Sequence, residues 1–257
     1  MSDSTDLVEL LRKIGIRASR EAIEAWLVHA GKMKASPAQI AEQLCTLEQR
    51  EREARNLARR MKIATLGNPK PLDRFDWNHP RSVDRDLYEH LYSSLDFIRR
   101  GENVLLRGQA GVGKTTLAQN LALRALERGH TVRFCTLPAA LADLLRQESL
   151  PATERRLRRY TSPDLLCLDE LGYVPCDSRA ADLLFHIISR RHEARSVVIT
   201  TNLAFKQWGS VFHDASCLGA LVDRFAQLCH VIDIDAESWR NKEALKRGKN
   251  PKPEKHD

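Results

Sequence analysis

Gly108 to Thr116 reads GQAGVGKTT, three glycines followed by a lysine and two hydroxyls. Gly108, Gly113, Lys114 and Thr115 satisfy the spacing G-x-x-x-x-G-K-[ST]. In that pattern backbone N–H groups wrap a phosphate chain, the lysine reaches its terminal phosphates and the hydroxyl ligates Mg²⁺. Gln109, Ala110, Gly111, Val112 and Thr116 complete the expected loop. The apolar run NVLLR precedes it and KTTLAQNLALRALERG follows at helical spacing, which gives the strand-loop-helix setting that phosphate binding at a helix N-terminus requires. A nucleoside triphosphate with Mg²⁺ is the expected ligand. By itself the loop does not separate kinases from motor ATPases or switch GTPases.

LLCLDE narrows the chemistry. Four apolar positions followed by Asp169 and Glu170 describe a buried strand presenting two carboxylates at its C-terminal end, where such sheets bind ligands. Asp169 is expected to hold the Mg²⁺ and Glu170 to act as general base on water, which points to hydrolysis. SVVITTN is a second strand, and Asn202 at its end is placed to hydrogen-bond water or the γ-phosphate. CLGALVDRFAQLC carries Arg224 among apolar residues. Its guanidinium either projects outward to complete a neighbouring subunit's site or pairs locally with Asp223.

The elements that must position these groups follow from periodicity. Runs at 103–108, 132–137, 165–170, 196–202 and 230–234 alternate with helical stretches of ten or more residues, the pattern of an α/β fold with a parallel sheet covered on both faces. LYEHLYSSLDFIRRGEN reads as one amphipathic helix before the first strand. Residues 1–66 read as a small all-helical domain whose last helix has a basic flank, 67–80 as a Gly/Pro/Asn linker, 81–247 as the ATPase domain and 248–257 as a disordered basic tail.

Composition bounds the partners. The 257 residues are 42% hydrophobic and 29% charged, with net charge +7, a balance that suits polyanions. Four arginines, Arg155, Arg156, Arg158 and Arg159, crowd TERRLRRYTS and are candidates for DNA phosphates. The six cysteines show neither paired spacing nor clustering with histidine, so reduced thiols are expected. No apolar run approaches the roughly twenty residues of a membrane span. The start, MSDSTDLVELLRKIG, lacks the basic region and apolar core of a secretion signal, so a cytoplasmic protein is expected.

The phosphate loop, LLCLDE, ITTN and VDRF, in this order, resemble the helicase-loader and initiator group of the AAA+ superfamily. LDELGYVPCDSRAADLLFHIISRRHEARSVVITTNLAFKQWGSVF, Leu168 to Phe212, is similar to the IstB family, ATP-dependent transposition helpers of insertion sequences. The likeness extends from LDRFDW to LVDRFAQLCHVIDIDAESWR. It implies an AAA+ P-loop core with a five-stranded parallel sheet, ATP and Mg²⁺ as cofactors, and homo-oligomeric rings or spirals on double-stranded DNA without sequence preference. The implied partner is a cognate transposase, with replicative helicase loading as the alternative. Carried over, Lys114, Glu170, Asn202 and Arg224 are the catalytic set, Arg224 acting in trans, and Phe75 contacts adenine. Thr116 stands where many relatives have histidine, and ESWRN replaces the commoner SYR, which leaves a sensing role for Arg240 in doubt.

Overall fold

The computed structural model describes residues 3–32, 35–173, 177–212, 215–239 and 242; Arg240 and the tail 248–257 lie outside them. The chain forms two compact units, Met1–Arg60 and Met61–Asp257.

The first unit contains α1 (Asp3–Lys13), α2 (Arg20–Lys32) and most of α3 (Pro37–Ala64). Val8, Leu11, Ala18 and Ile23 are buried, with Trp26, Leu27, Leu44 and Leu47 packed around them. Ser36 and Gln39 cap α3 reciprocally: the Ser36 hydroxyl accepts from the Gln39 N–H at 3.3 Å and the Gln39 amide oxygen from the Ser36 N–H at 2.8 Å. Part of the basic flank is paired within the unit. Arg52 and Arg55 lie 3.4 and 3.0 Å from Glu48, which also accepts the Arg17 N–H at 2.7 Å.

The second unit is built on a six-stranded sheet: β1 (Ser82–Val83), β2 (Asn103–Gly108), β3 (Val132–Thr136), β4 (Leu165–Leu171), β5 (Ser196–Thr201) and β6 (Cys229–Asp235). Their order is β1-β6-β2-β5-β4-β3. β2 to β6 are the five parallel strands that the alternation predicts, and β1 is an antiparallel addition against β6. At two residues β1 is too short to display a period, so sequence pattern does not reveal it. Val104 to Leu106, Leu165 to Leu168 and Val197 to Ile199 are buried, as in a sheet covered on both faces.

Around the sheet lie α4 (Arg85–Ser94), α5 (Asp96–Arg100), α6 (Lys114–Glu127), α7 (Leu137–Leu145), α8 (Leu150–Thr161), α9 (Ser178–Arg191) and α10 (Leu218–Ala226). The single helix expected over LYEHLYSSLDFIRRGEN is two, because Leu95 adopts a left-handed φ of 53° between α4 and α5. Two apolar faces on one straight helix would diverge; the break lets Tyr88 and Leu91 of α4 and Phe97 and Ile98 of α5 all be buried.

At the N-terminal end of the strands, Arg191 is fully buried. Its Nη atoms donate to the carbonyls of Tyr160, Pro163, Asp164 and Ser196 at 3.0, 2.8, 3.1 and 2.7 Å, joining the ends of α8, β4, β5 and α9. Burial, with Arg195 nearby, presses its guanidinium down to about 9, still protonated at neutral pH. The Asn103 side chain donates to the Phe225 carbonyl and accepts the Val197 N–H, both at 3.0 Å. The Ser196 hydroxyl donates to the Phe97 carbonyl at 2.8 Å. The thiols of Cys135, Cys167 and Cys229 are all pushed up by burial, Cys135 to about 11 and Cys229 to about 12, which disfavours their thiolates.

Candidate active site

The phosphate loop leaves the C-terminal end of β2 and enters α6 at Lys114. Gly113, the N-cap, has φ 98° and offers no side chain to cap α6. The N-terminal N–H groups of that helix are therefore left to an anion, which the dipole also favours. The missing side chains of the loop serve the protein as well as a ligand. A Cβ at Gly113 would come within 2.6 Å of the Phe75 ring, and one at Gly111, where φ is 80°, would run into Ser238. Gly108 lies as tightly against the Ile234 carbonyl.

Two separate segments thus shape the loop. Phe75, just after the 3-10 turn Leu72–Arg74, packs on Gly113 with Trp77 beside it, ring centroids 4.7 Å apart. The backbone leaving β6 closes the rim, where the Trp239 N–H donates to the Gly111 carbonyl at 3.0 Å. His79 meets the Trp239 ring edge to face at 4.8 Å.

Lys114 is buried, and its ammonium donates to the Gly108 and Gln109 carbonyls at 2.8 and 2.7 Å. One residue on, the Thr115 hydroxyl lies 3.1 and 3.0 Å from the two Asp169 carboxylate oxygens. This pair, on α6 and β4, brings hard oxygen donors together. It suits Mg²⁺, which binds through one or two protein oxygens plus water and substrate phosphates. Among the described residues no larger cluster of His, Cys, Asp and Glu could hold a metal ion.

Asp169 and Glu170 are neighbours with opposite surroundings. Asp169 is 4% exposed, and the Thr200 hydroxyl donates to it. The same Thr200 oxygen accepts the Glu170 N–H at 3.0 Å. Glu170 is exposed, with a φ of 68°, and the β4–β5 register shifts between Leu168 and Leu171. A non-glycine residue in this region is strained, and such strain gathers at functional sites. Here the bulge turns the second carboxylate out of the sheet while the first stays buried. Thr200 fixes both, a role the sequence reading missed. Its only signal was a hydroxyl inside SVVITTN, since its partners lie 30 and 31 residues away.

The remaining candidates are distributed differently. Asn202 is exposed beyond β5, with its amide oxygen 3.0 Å from where a Gly172 Cβ would stand, so it faces the turn that follows β4. Among the described residues, Arg224 makes no contact with the loop or with β4. It donates to the Ser189 hydroxyl and lies over the Phe185 ring at 4.8 Å, and no ion pair with Asp223 forms among the described residues. On α8, Arg156 forks onto Asp143, with Nε 2.7 Å from Oδ2, and Arg159 stands 3.9 Å from the same carboxylate. The Arg156 hydrogen bonds hold the Asp143 carboxyl below its ordinary range. Arg155 and Arg158 are exposed and lie within ion-pairing distance of no described carboxylate.

Residues 9–247 match the family described as IstB-like ATP binding protein. The chain belongs to this family. An IstB-like relative, the insertion sequence IS21 putative ATP-binding protein of Pseudomonas aeruginosa, is 34% identical over 95% of this chain and 91% of its own. The corresponding IS5376 protein of Geobacillus stearothermophilus is 30% identical over 91% and 93%. In fold, the IstB-like chain is similar to DnaI (TM-score 0.55, 20% identity, 67% of this chain and 93% of that one). It is also similar to AMPPCP-bound DnaA from Aquifex aeolicus (TM-score 0.51, 21% identity, 67% and 53%). The core thus shares the fold of DnaI and DnaA, with the sixth, antiparallel strand added to the five parallel strands expected. No helix of the described residues is long and apolar enough to cross a membrane.

Proposed function

We propose that the chain is an ATPase that assembles on double-stranded DNA with ATP bound, and delivers that DNA to, or activates, a cognate transposase. One observation carries the hydrolytic part: at the C-terminal edge of the sheet a buried Asp169 is tied to Thr115 and Thr200 while the adjacent Glu170 is turned outward on a strained bulge. When bound, ATP with Mg²⁺ supplies the phosphoanhydride to be cleaved. Thr115 and Asp169 would hold the metal ion. Lys114 exchanges its bonds to the Gly108 and Gln109 carbonyls for bonds to the terminal phosphates. Glu170 takes a proton from water, and Asn202 orients that water.

Arg224 is held by α9 and not by its own chain's loop, which supports a role on a neighbouring copy; nucleotide would then favour assembly because it is held better at a completed seam than by one subunit. The DNA part rests on charge and on kinship with insertion-sequence proteins. Since Asp143 occupies Arg156 and Arg159, the DNA contact on α8 narrows to Arg155 and Arg158. Replacing both should weaken binding equally on all sequences and flatten its salt dependence. The helicase-loader alternative draws on fold likeness alone. The full chain, mixed with duplex DNA and a non-hydrolysable ATP analogue, is expected to sediment as a large nucleoprotein complex that recruits the transposase of its element. A monomer indifferent to DNA overturns the proposal.

A further inference from the structure

Three residues of one face of α9 and its cap converge on Arg224. Phe185, Ser189 and His192 are spaced four and three apart, the spacing that stacks side chains along a helix. Phe185 lies under the guanidinium, with Cζ 4.8 Å from the ring centroid. The Ser189 hydroxyl accepts from Nη1. His192 Nδ1 stands 3.2 Å from the Arg224 carbonyl, a contact in which the ring must donate. Side chain and backbone of Arg224 are therefore both referenced to the same helix.

The chemistry of these partners matters more than their number. Among the described residues, both side-chain contacts of Arg224 are with neutral groups. A π face and a hydroxyl leave the positive charge uncompensated, and Ser189 engages only one of the five N–H donors of a guanidinium. Arg224, Phe185 and Ser189 are all partly exposed, so the cluster is open to an incoming anion. A hydroxyl and a ring constrain the plane of the guanidinium, and orientation of that plane decides whether it can present a fork to a phosphate.

We propose that Phe185 and Ser189 are positioning residues for Arg224, holding its guanidinium ready for the triphosphate bound by a neighbouring copy of this chain. The inference rests on the trans role assigned to Arg224 above. It extends that role to two residues of α9, a helix that otherwise packs against the core.

The test mixes two full-length variants with duplex DNA. Glu170→Gln lacks hydrolysis at its own loop and keeps Arg224; Arg224→Ala keeps the loop and lacks the arginine. Each alone should be nearly inactive, and the mixture should regain turnover. Failure to regain it overturns the trans reading, and this inference with it. Given regained turnover, Phe185→Ala with Ser189→Ala is placed first in one partner and then in the other. In the Glu170→Gln partner, which donates Arg224, the pair should lower the mixture's kcat about tenfold with KM for ATP within about twofold. In the Arg224→Ala partner it should leave turnover within about twofold. Ser189→Thr in the donating partner, with Phe185 kept, should restore turnover because the hydroxyl is preserved. Equal losses in both partners would show a merely structural role, and no loss in either would show no role; both overturn the proposal.

Discussion

The two ends of the parallel sheet bury polar groups by opposite rules. At the N-terminal end, Arg191, Asn103 and Ser196 are each bonded to backbone carbonyl or N–H groups of neighbouring elements. At the C-terminal end, Lys114, Thr115, Asp169 and Thr200 bond to one another and to the phosphate loop, in contacts that a polyphosphate and a cation can replace. The first set ties separate elements of the fold together; on the proposed reading the second is rearranged by the bound nucleotide, with Lys114 giving up the two loop carbonyls it holds. Burial alone does not tell these apart, since Arg191 and Asp169 are both buried.

Substitutions at the two ends should therefore separate activity from stability. The largest effect is expected for Glu170→Gln, which should lower turnover by about 10²–10⁴-fold. Its ATP affinity by calorimetry should change by no more than a few-fold, and its melting temperature hardly at all. Lost ATP binding would place Glu170 in the fold and not in the chemistry. Next, Arg191→Met should lower the unfolding free energy by about 3–4 kcal/mol in urea titrations, because it strands several buried carbonyls. Nucleotide affinity of the folded fraction should be unchanged; a selective loss of affinity would erase the contrast between the two ends.

Thr200→Val sharpens the comparison, since it removes a hydroxyl of the exchangeable kind and keeps the shape. About tenfold lower turnover is expected, with about 1–2 kcal/mol of stability lost through the unpaired Glu170 N–H. A stability loss without any kinetic effect would move Thr200 to the fastening group. The smallest effect calibrates the rest at a pair that belongs to neither end. Asp143→Asn should cost about 1 kcal/mol or less at neutral pH, given that Arg156 is partly exposed. The folded carboxyl is held below its ordinary 3.8, so its contribution is present above that value and lost as pH falls through the lowered one. Stability curves of the two proteins should accordingly converge in acid.

The phosphate loop, the LLCLDE strand and the alternation of strands with helices were legible because each is written in consecutive residues. Lys114 and Thr115 are held by α6, and Asp169 by β4, in the setting their spacing predicts. What sequence did not reveal depends on distant partners. The break at Leu95 and the bulge at Glu170 are backbone states that no local composition marks, both of them non-glycine residues at positive φ. Arg191 looks like one more surface arginine in SRRHEAR until the carbonyls around it are seen. Likewise the four arginines of α8 are equivalent as letters. Asp143, contributed by α7, divides them into an occupied pair and an exposed one.

The walls around the phosphate loop carry a thermodynamic consequence. Phe75 on one side, and Ile234 with Ser238 on the other, press on Gly113, Gly108 and Gly111 from two separate parts of the chain, so the rest of the fold holds the shape of the loop. A nucleotide meeting a moulded cradle loses little to chain ordering, and its capture should carry a small entropic penalty. The same walls make the nine-residue motif a poor module for grafting: moved into another scaffold without them, it would keep its letters and lose its shape.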